Sequence, residues 1–123
     1  MTYENGYRSE HSLELRDYFP ISNRGVDYYN PNNISIEFKE CFSEKKEAQW
    51  FKVRKRQLEE SKYVVFCLLN EEFYILRSSH LLKKYSFNTY GKRVNLRIDT
   101  IRKNSIFETN DYIELKEVID KLR

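Results

Sequence analysis

The sequence predicts an α/β domain, a mixed β-sheet flanked by α-helices, from three observations. Apolar residues recur at helical spacing near both ends of the chain, apolar and polar residues alternate around Ile36 and Leu96, and residues 63–69 form an unbroken apolar run of the kind buried on both faces of a sheet.

Each element has a local cause. Residues 8–19 read as a short helix, with Ser9 as an N-cap, His11, Leu15, Tyr18 and Phe19 at helical spacing, and Pro20 as its stop. Residues 25–29 and 34–42 read as strands, joined into a hairpin by the turn chemistry of Asn30-Pro31-Asn32-Asn33. Residues 44–61 read as basic and mostly helical, although Trp50, Phe51 and Val53 can open as a short extended piece before residues 54–60 coil. The apolar run turns at Asn70-Glu71 into a further strand over 72–77, and this second hairpin is expected at the centre of the sheet. Residues 79–85 take one or two helical turns and 86–91 a loop, after which Val94, Leu96 and Ile98 alternate with Asn95, Arg97 and Asp99 as in a half-buried strand. Asp111 and Glu114 open a final helix in the manner of a capping box, with Leu115, Val118, Ile119 and Leu122 on its buried face.

The 123 residues fit one domain, 1–123, and 40% hydrophobic with 15% aromatic residues is enough to build its core. No apolar run approaches the roughly 18 residues of a membrane span, so no membrane partner is expected. The first 20 residues carry Glu4, Glu10, Glu14 and Asp17 without an apolar stretch, so no secretory signal is read there and a cytoplasmic chain is expected. Cys41 and Cys67 sit in strand-like apolar surroundings and make neither a disulfide framework nor a zinc site.

The net charge of +3 hides a gradient, from −4 over residues 1–44 to +7 over 77–103. Acids gathered at a metal and bases meeting a polyanion would produce it, as would a solvated basic surface. Lys52, Arg54, Lys55 and Arg56, and after the second hairpin Lys83, Lys84, Lys92 and Arg93, are the candidate phosphate contacts, with Arg24 beside the first strand. Trp50, Phe51, Tyr85 and Tyr90 are interleaved with them, Trp50 and Phe51 being expected in the core. His11 and His80 are expected to be satisfied structural histidines. Without a Gly-rich phosphate loop no nucleotide cofactor is expected, and no Ser-His-Asp or Cys-His set is spaced for nucleophilic catalysis.

One constellation carries chemistry. Ile34, Ile36 and Phe38 share one face of their strand, so Ser35, Glu37 and Lys39 project from the other, setting a carboxylate beside an ammonium. If the turn is the three residues Pro31, Asn32 and Asn33, position 30 pairs with 34 and Asp27 falls opposite Glu37. Two carboxylates about 5 Å apart at Cβ repel unless a cation lies between them, and such hard oxygen ligands suit Mg²⁺. The same residues also read as a turn cap and a surface ion pair. Acid-x-lysine occurs four times, but only Glu37-Phe38-Lys39 lies in an alternating strand after a turn, ten positions beyond an Asp.

Asp27 followed by Glu37-Phe38-Lys39 resembles the PD-(D/E)XK nuclease superfamily, the restriction-endonuclease-like fold, over roughly residues 8–77. Val26 stands where the family's name has proline. The resemblance implies a restriction-endonuclease-like mixed sheet and a Mg²⁺-dependent deoxyribonuclease, with Mn²⁺ as a substitute. It assigns Asp27, Glu37 and the Phe38 carbonyl to the metal and Lys39 to the attacking water. It also implies a further acid from the first helix, Glu10 with Glu14 in reserve, and a polar site residue at Gln57. Small single-domain members include archaeal-type Holliday junction resolvases, which act as homodimers in DNA recombination, and branched DNA is therefore the expected substrate. A restriction or repair endonuclease acting on duplex, and a non-catalytic nucleic-acid-binding module, are the alternatives.

Overall fold

The computed structural model describes residues 11–22, 25–87 and 92–123. Its helices are α1 (Leu13–Tyr18), α2 (Lys55–Glu60), α3 (Ser78–Lys84), α4 (Ile98–Asn104) and α5 (Tyr112–Lys121). Its strands are β1 (Tyr28–Tyr29), β2 (Ser35–Cys41), β3 (Trp50–Arg54), β4 (Tyr63–Leu68), β5 (Glu72–Arg77), β6 (Arg93–Arg97) and β7 (Phe107–Thr109). A mixed five-stranded sheet runs β1-β2-β4-β5-β7, and β3 with β6 forms a separate antiparallel ribbon, so the expected α/β class holds.

β4 is the middle strand and is buried along its whole length, as its unbroken apolar run requires. Alternation along it feeds two cores. Tyr63, Val65 and Cys67 face Leu15 and Phe19 of α1 and Leu115 and Ile119 of α5. Val64, Phe66 and Leu68 face Leu58 of α2, Leu81 of α3, Ile101 of α4 and Phe51, Val53 and Leu96 of the ribbon. Each fully buried Phe or Leu contributes about 1.5–3 kcal/mol by leaving water. Both cysteines are buried and free. Among the described residues no helix is long and apolar enough to cross a membrane.

β2 and β4 are parallel, with Glu37 beside Val64 and Lys39 beside Phe66, so the chain must cross over between them. Over 44–61 the crossover is less helical than expected, and the short extended piece at Trp50, Phe51 and Val53 before the helix is there as β3. A 3₁₀ turn at Lys46–Ala48 precedes β3, and only Lys55–Glu60 is α-helical. Phe51 and Val53 alternate with exposed Trp50, Lys52 and Arg54, a period of two that overrides the helix-forming lysines. Near the C-terminus two short elements, α4 and β7, replace the expected continuation of a strand through Ile98. Ile98 and Ile101 are both buried at helical spacing, and this packing outweighs the weak helix propensity of the β-branched residues. The second hairpin turns over residues 69–71, the expected Asn70-Glu71 with Leu69 added, and Leu69 and Asn70 both lie at φ 55°.

The first hairpin has the expected register. Tyr28 pairs with Ile36 and Tyr29 with Ser35, which carries Asp27 opposite Glu37. Asn30 sets this register: its Oδ1 accepts the N–H groups of Asn32 and Ile34 at 2.9 and 2.8 Å, and Asn33 completes the turn at φ 61°. Its Nδ2 donates to the carbonyls of Ile119 and Leu122 at 2.8 and 2.9 Å, fastening the turn to the end of α5. The first helix is capped by Ser12, whose Oγ accepts the Leu15 N–H at 3.2 Å. Ser9, expected in that role, lies outside the described residues. Asp111 caps α5, accepting the Ile113 N–H at 3.0 Å, but Glu114 takes the Thr109 hydroxyl and the reciprocal half of a capping box is not made.

Candidate functional site

Asp27 and Glu37 are both buried, at 9% and 6% exposure. Asp27 leaves β1 just before its ladder begins and substitutes its side chain for a missing strand, its Oδ2 accepting the Phe38 N–H at 2.8 Å. In an extended strand the N–H and C=O of one residue point to the same side, so the Phe38 carbonyl also opens toward Asp27. Glu37, across the hairpin, stands close enough to Asp27 to feel its charge. Burial and the Asp27 charge push the Glu37 carboxyl up to about 8 against the pull of Lys39 and His11, which favours its protonated form.

Gln57 joins this pair from α2. Its Oε1 accepts the Arg54 N–H at 3.0 Å, and its Nε2 donates to Glu37 Oε2, also at 3.0 Å. A main-chain N–H can only donate, so this pair of bonds fixes which end of the amide meets Glu37. Lys39 projects from the same strand face as Glu37, two residues on, and lines a cleft of about 190 Å³ with His11, Glu40, Trp50 and Lys52. Asp27, Glu37, Lys39 and Gln57 are thus brought together. Glu10 lies outside the described residues, as does Arg24, and Glu14 is exposed on α1.

Two groups escaped the sequence reading. His11, expected to be merely structural, bridges Asp27 Oδ1 at 3.3 Å and Glu40 Oε1 at 3.2 Å. Burial opposes its charge, but the two carboxylates outweigh it and raise the imidazole to about 9. Glu40 also accepts the Ser12 N–H at 3.0 Å and the Ser12 hydroxyl at 2.7 Å, so it clamps the start of α1 to β2. Burial would raise its carboxyl, yet the bonds from His11 and Ser12 hold it below its ordinary value. Its parity was the available signal: Glu40 shares the face of Ile36 and Phe38, where a carboxylate must find partners.

Two carboxylates with an outward carbonyl form the kind of oxygen set Mg²⁺ takes, the remaining positions going to water and substrate oxygens. Among the described residues no three His, Cys, Asp and Glu side chains group as a metal site, so the fit is that of a two-carboxylate centre. A cation in place of the Glu37 proton would offset the repulsion between the two buried carboxylates.

The basic residues divide. Lys52 and Arg54 lie on the exposed face of β3, and Arg54, Lys55 and Arg56 border a surface recess with Lys92. Arg56 also pairs with Glu60 at 3.2 Å. Lys83 and Lys84 end α3, where Lys84 donates to Asn104 at 3.2 Å instead of meeting the carboxylates. Phe51 is core, whereas Trp50, expected there too, is 45% exposed beside the site, because β3 has the opposite parity at its first residue. His80 meets Asn104 at 2.9 Å on the surface. No protein-family model matches this chain, and no curated protein matches it.

Proposed function

We propose that this chain is a Mg²⁺-dependent deoxyribonuclease with a PD-(D/E)XK arrangement, hydrolysing phosphodiester bonds of branched DNA as a pair of identical subunits. One observation carries the reading: Asp27 stands opposite Glu37 in a hairpin whose register Asn30 fixes, with Lys39 two residues on and Gln57 bonded to Glu37. An ordinary surface ion pair needs neither buried acids nor a polar residue from a separate helix.

Asp27, Glu37 and the Phe38 carbonyl would hold the metal, which when bound supplies charge neutralisation at the phosphate and a more acidic water. Lys39 orients that water and offsets charge on the phosphoryl oxygens. The water oxygen forms a new bond to phosphorus and its proton passes to solvent, the bond to the leaving oxygen breaks and that oxygen takes a proton from solvent, and the products are a phosphate monoester and an alcohol. Gln57 keeps Glu37 directed at the centre. His11 does the same for Asp27, holding one carboxylate oxygen while Phe38 N–H holds the other. A four-way junction presents two equivalent strands, which two copies of one short chain match by symmetry.

The test is cleavage of labelled four-way-junction, flap, single-stranded and linear duplex DNA in Mg²⁺ by the wild type, Glu37→Ala and Lys39→Ala. Loss of cleavage in both variants, with folding and DNA binding kept, supports the reading, and the preferred substrate selects its form. Absence of cleavage in Mg²⁺ and Mn²⁺ by the wild type overturns it in favour of a binding module.

A further inference from the structure

The ribbon of β3 and β6 has an outer face that the catalytic reading does not use. Strict pairing sets Trp50 beside Arg97, Lys52 beside Asn95 and Arg54 beside Arg93. All six residues are exposed, four are cations, none is acidic, and the other parity of both strands is consumed by the core through Phe51, Val53 and Leu96. Successive outward residues on one strand stand about 7 Å apart, so the cations form two parallel rows.

Trp50 is held for a purpose that packing does not explain. Its indole N–H donates to the Glu47 carbonyl at 2.7 Å, which fixes the ring, and the Arg97 guanidinium lies over it at 5.2 Å, yet the residue stays 45% exposed. An oriented aromatic plane with an arginine on it, among cations, is the composition of a base-stacking platform on a phosphate-binding track. In duplex DNA both faces of every base are already stacked, so only an unpaired base can use it. Trp50 and Lys52 also line one cleft with Lys39 and His11, of which His11 bonds Asp27 and Lys39 acts on the Glu37 carboxyl. The one acid of that cleft, Glu40, is held by Ser12 and His11.

We propose that the outer face of the β3–β6 ribbon binds an unpaired stretch of DNA strand, one base stacking on Trp50 and the phosphates following the cations of the ribbon. That the bound strand leads its phosphate to Asp27 and Glu37 rests on the hydrolase reading; the binding surface does not.

Trp50 is the sole tryptophan, so the emission of the whole protein reports this one ring. Metal-free protein in EDTA is titrated with oligothymidylate and, separately, with a blunt hairpin duplex at equal salt. The single strand quenches the emission and binds about 10-fold more tightly than the duplex. Measured by the anisotropy of a labelled strand, Trp50→Ala weakens single-strand binding about 10-fold, Trp50→Phe restores most of it, and Lys52→Gln with Arg97→Gln lowers the salt dependence of binding by about 1–2 in log–log slope. All are surface substitutions, and thermal melting checks that they fold.

Unchanged emission on adding single strand, equal or tighter binding of duplex, or Trp50→Ala binding like wild type overturns the proposal. Neither readout involves cleavage. A protein that cuts no DNA but shows the quenching loses the hydrolase reading and keeps the ribbon; a Mg²⁺-dependent nuclease with silent Trp50 loses the ribbon alone.

Discussion

Gln57 and Glu37 are joined by a 3.0 Å hydrogen bond whose donor is oriented by a second one, from the Arg54 N–H to the other end of the same amide. The last residue of β3 is thereby connected through one side chain to a carboxylate on β2. Gln57→Ala loses both bonds. Its cost in stability is that of a lost helix cap, about 1 kcal/mol, whereas its effect on cleavage is about 10- to 100-fold, as for groups that orient a metal ligand. The loss should lie in kcat, with the Mg²⁺ concentration for half-maximal rate also raised. Gln57→Glu places a third carboxylate against Glu37 and should require higher pH or more Mg²⁺. An Ala variant with wild-type kcat and Mg²⁺ dependence would leave Gln57 as a cap only.

Protonation in the metal-free protein gives a second prediction. Glu37 is raised from 4.5 to about 8 and His11 from 6.5 to about 9. In both, the folded state binds the proton more tightly than the unfolded chain, so the stabilisation is complete below the unfolded value and is lost as pH rises through the folded one. Urea unfolding in EDTA should therefore show stability falling from about pH 5 to pH 9. Glu37→Gln removes the part between about 5 and 8 and leaves the His11 part at higher pH. Added Mg²⁺ displaces the Glu37 proton, so its gain in Tm should grow with pH over the same window. A gain independent of pH would mean that the cation binds elsewhere.

Much of this was legible because it depends on short-range patterns. Ile34, Ile36 and Phe38 alternate, so the face of Glu37 and Lys39 followed from parity, and a three-residue turn after Asn30 placed Asp27. What stayed hidden depends on contacts distant in sequence. His11 and Glu40 are 29 residues apart and meet only because α1 packs on the β2 face opposite Glu37. Trp50 was misread because a tryptophan on a half-buried strand is decided by parity, and one residue of offset moves it from core to solvent. The helix at Ile98–Asn104 has Thr100 and two isoleucines, whose strand preference yields to burial of Ile98 and Ile101.

Lys39 yields a third prediction. It is the first of the influences that lower the Glu37 carboxyl, so removing its charge raises that carboxyl further. Lys39→Met keeps the aliphatic stem against the strand and should lower cleavage about 10²- to 10³-fold at neutral pH through loss of the charge beside the phosphate. Its pH–rate profile should also move to the alkaline side, because a more basic Glu37 releases its proton to solvent, and so frees its carboxylate for the metal, only at higher pH. A uniform loss at every pH would assign Lys39 to the water or phosphate alone, with no share in tuning Glu37.

Asn30 tests whether the turn sets the site. It is 4% exposed and its side chain makes four hydrogen bonds, two within the turn and two to the end of α5. Asn30→Ala strands the Asn32 and Ile34 N–H groups and takes one donor each from the Ile119 and Leu122 carbonyls, which keep the Leu122 N–H and Asn32 Nδ2, at a cost of about 2 kcal/mol by chemical unfolding. Asn30→Asp keeps the acceptors for the turn but aims a carboxylate at two carbonyls, so it should be more destabilised at pH 7 than near pH 4, whereas the Ala variant shows no such difference. The same turn fixes the pairing of Asp27 with Glu37. The Ala variant should therefore bind Mg²⁺ more weakly, by isothermal titration, even where circular dichroism shows it folded. Unchanged affinity would mean that the Asp27 bond to Phe38 N–H holds the register without the turn.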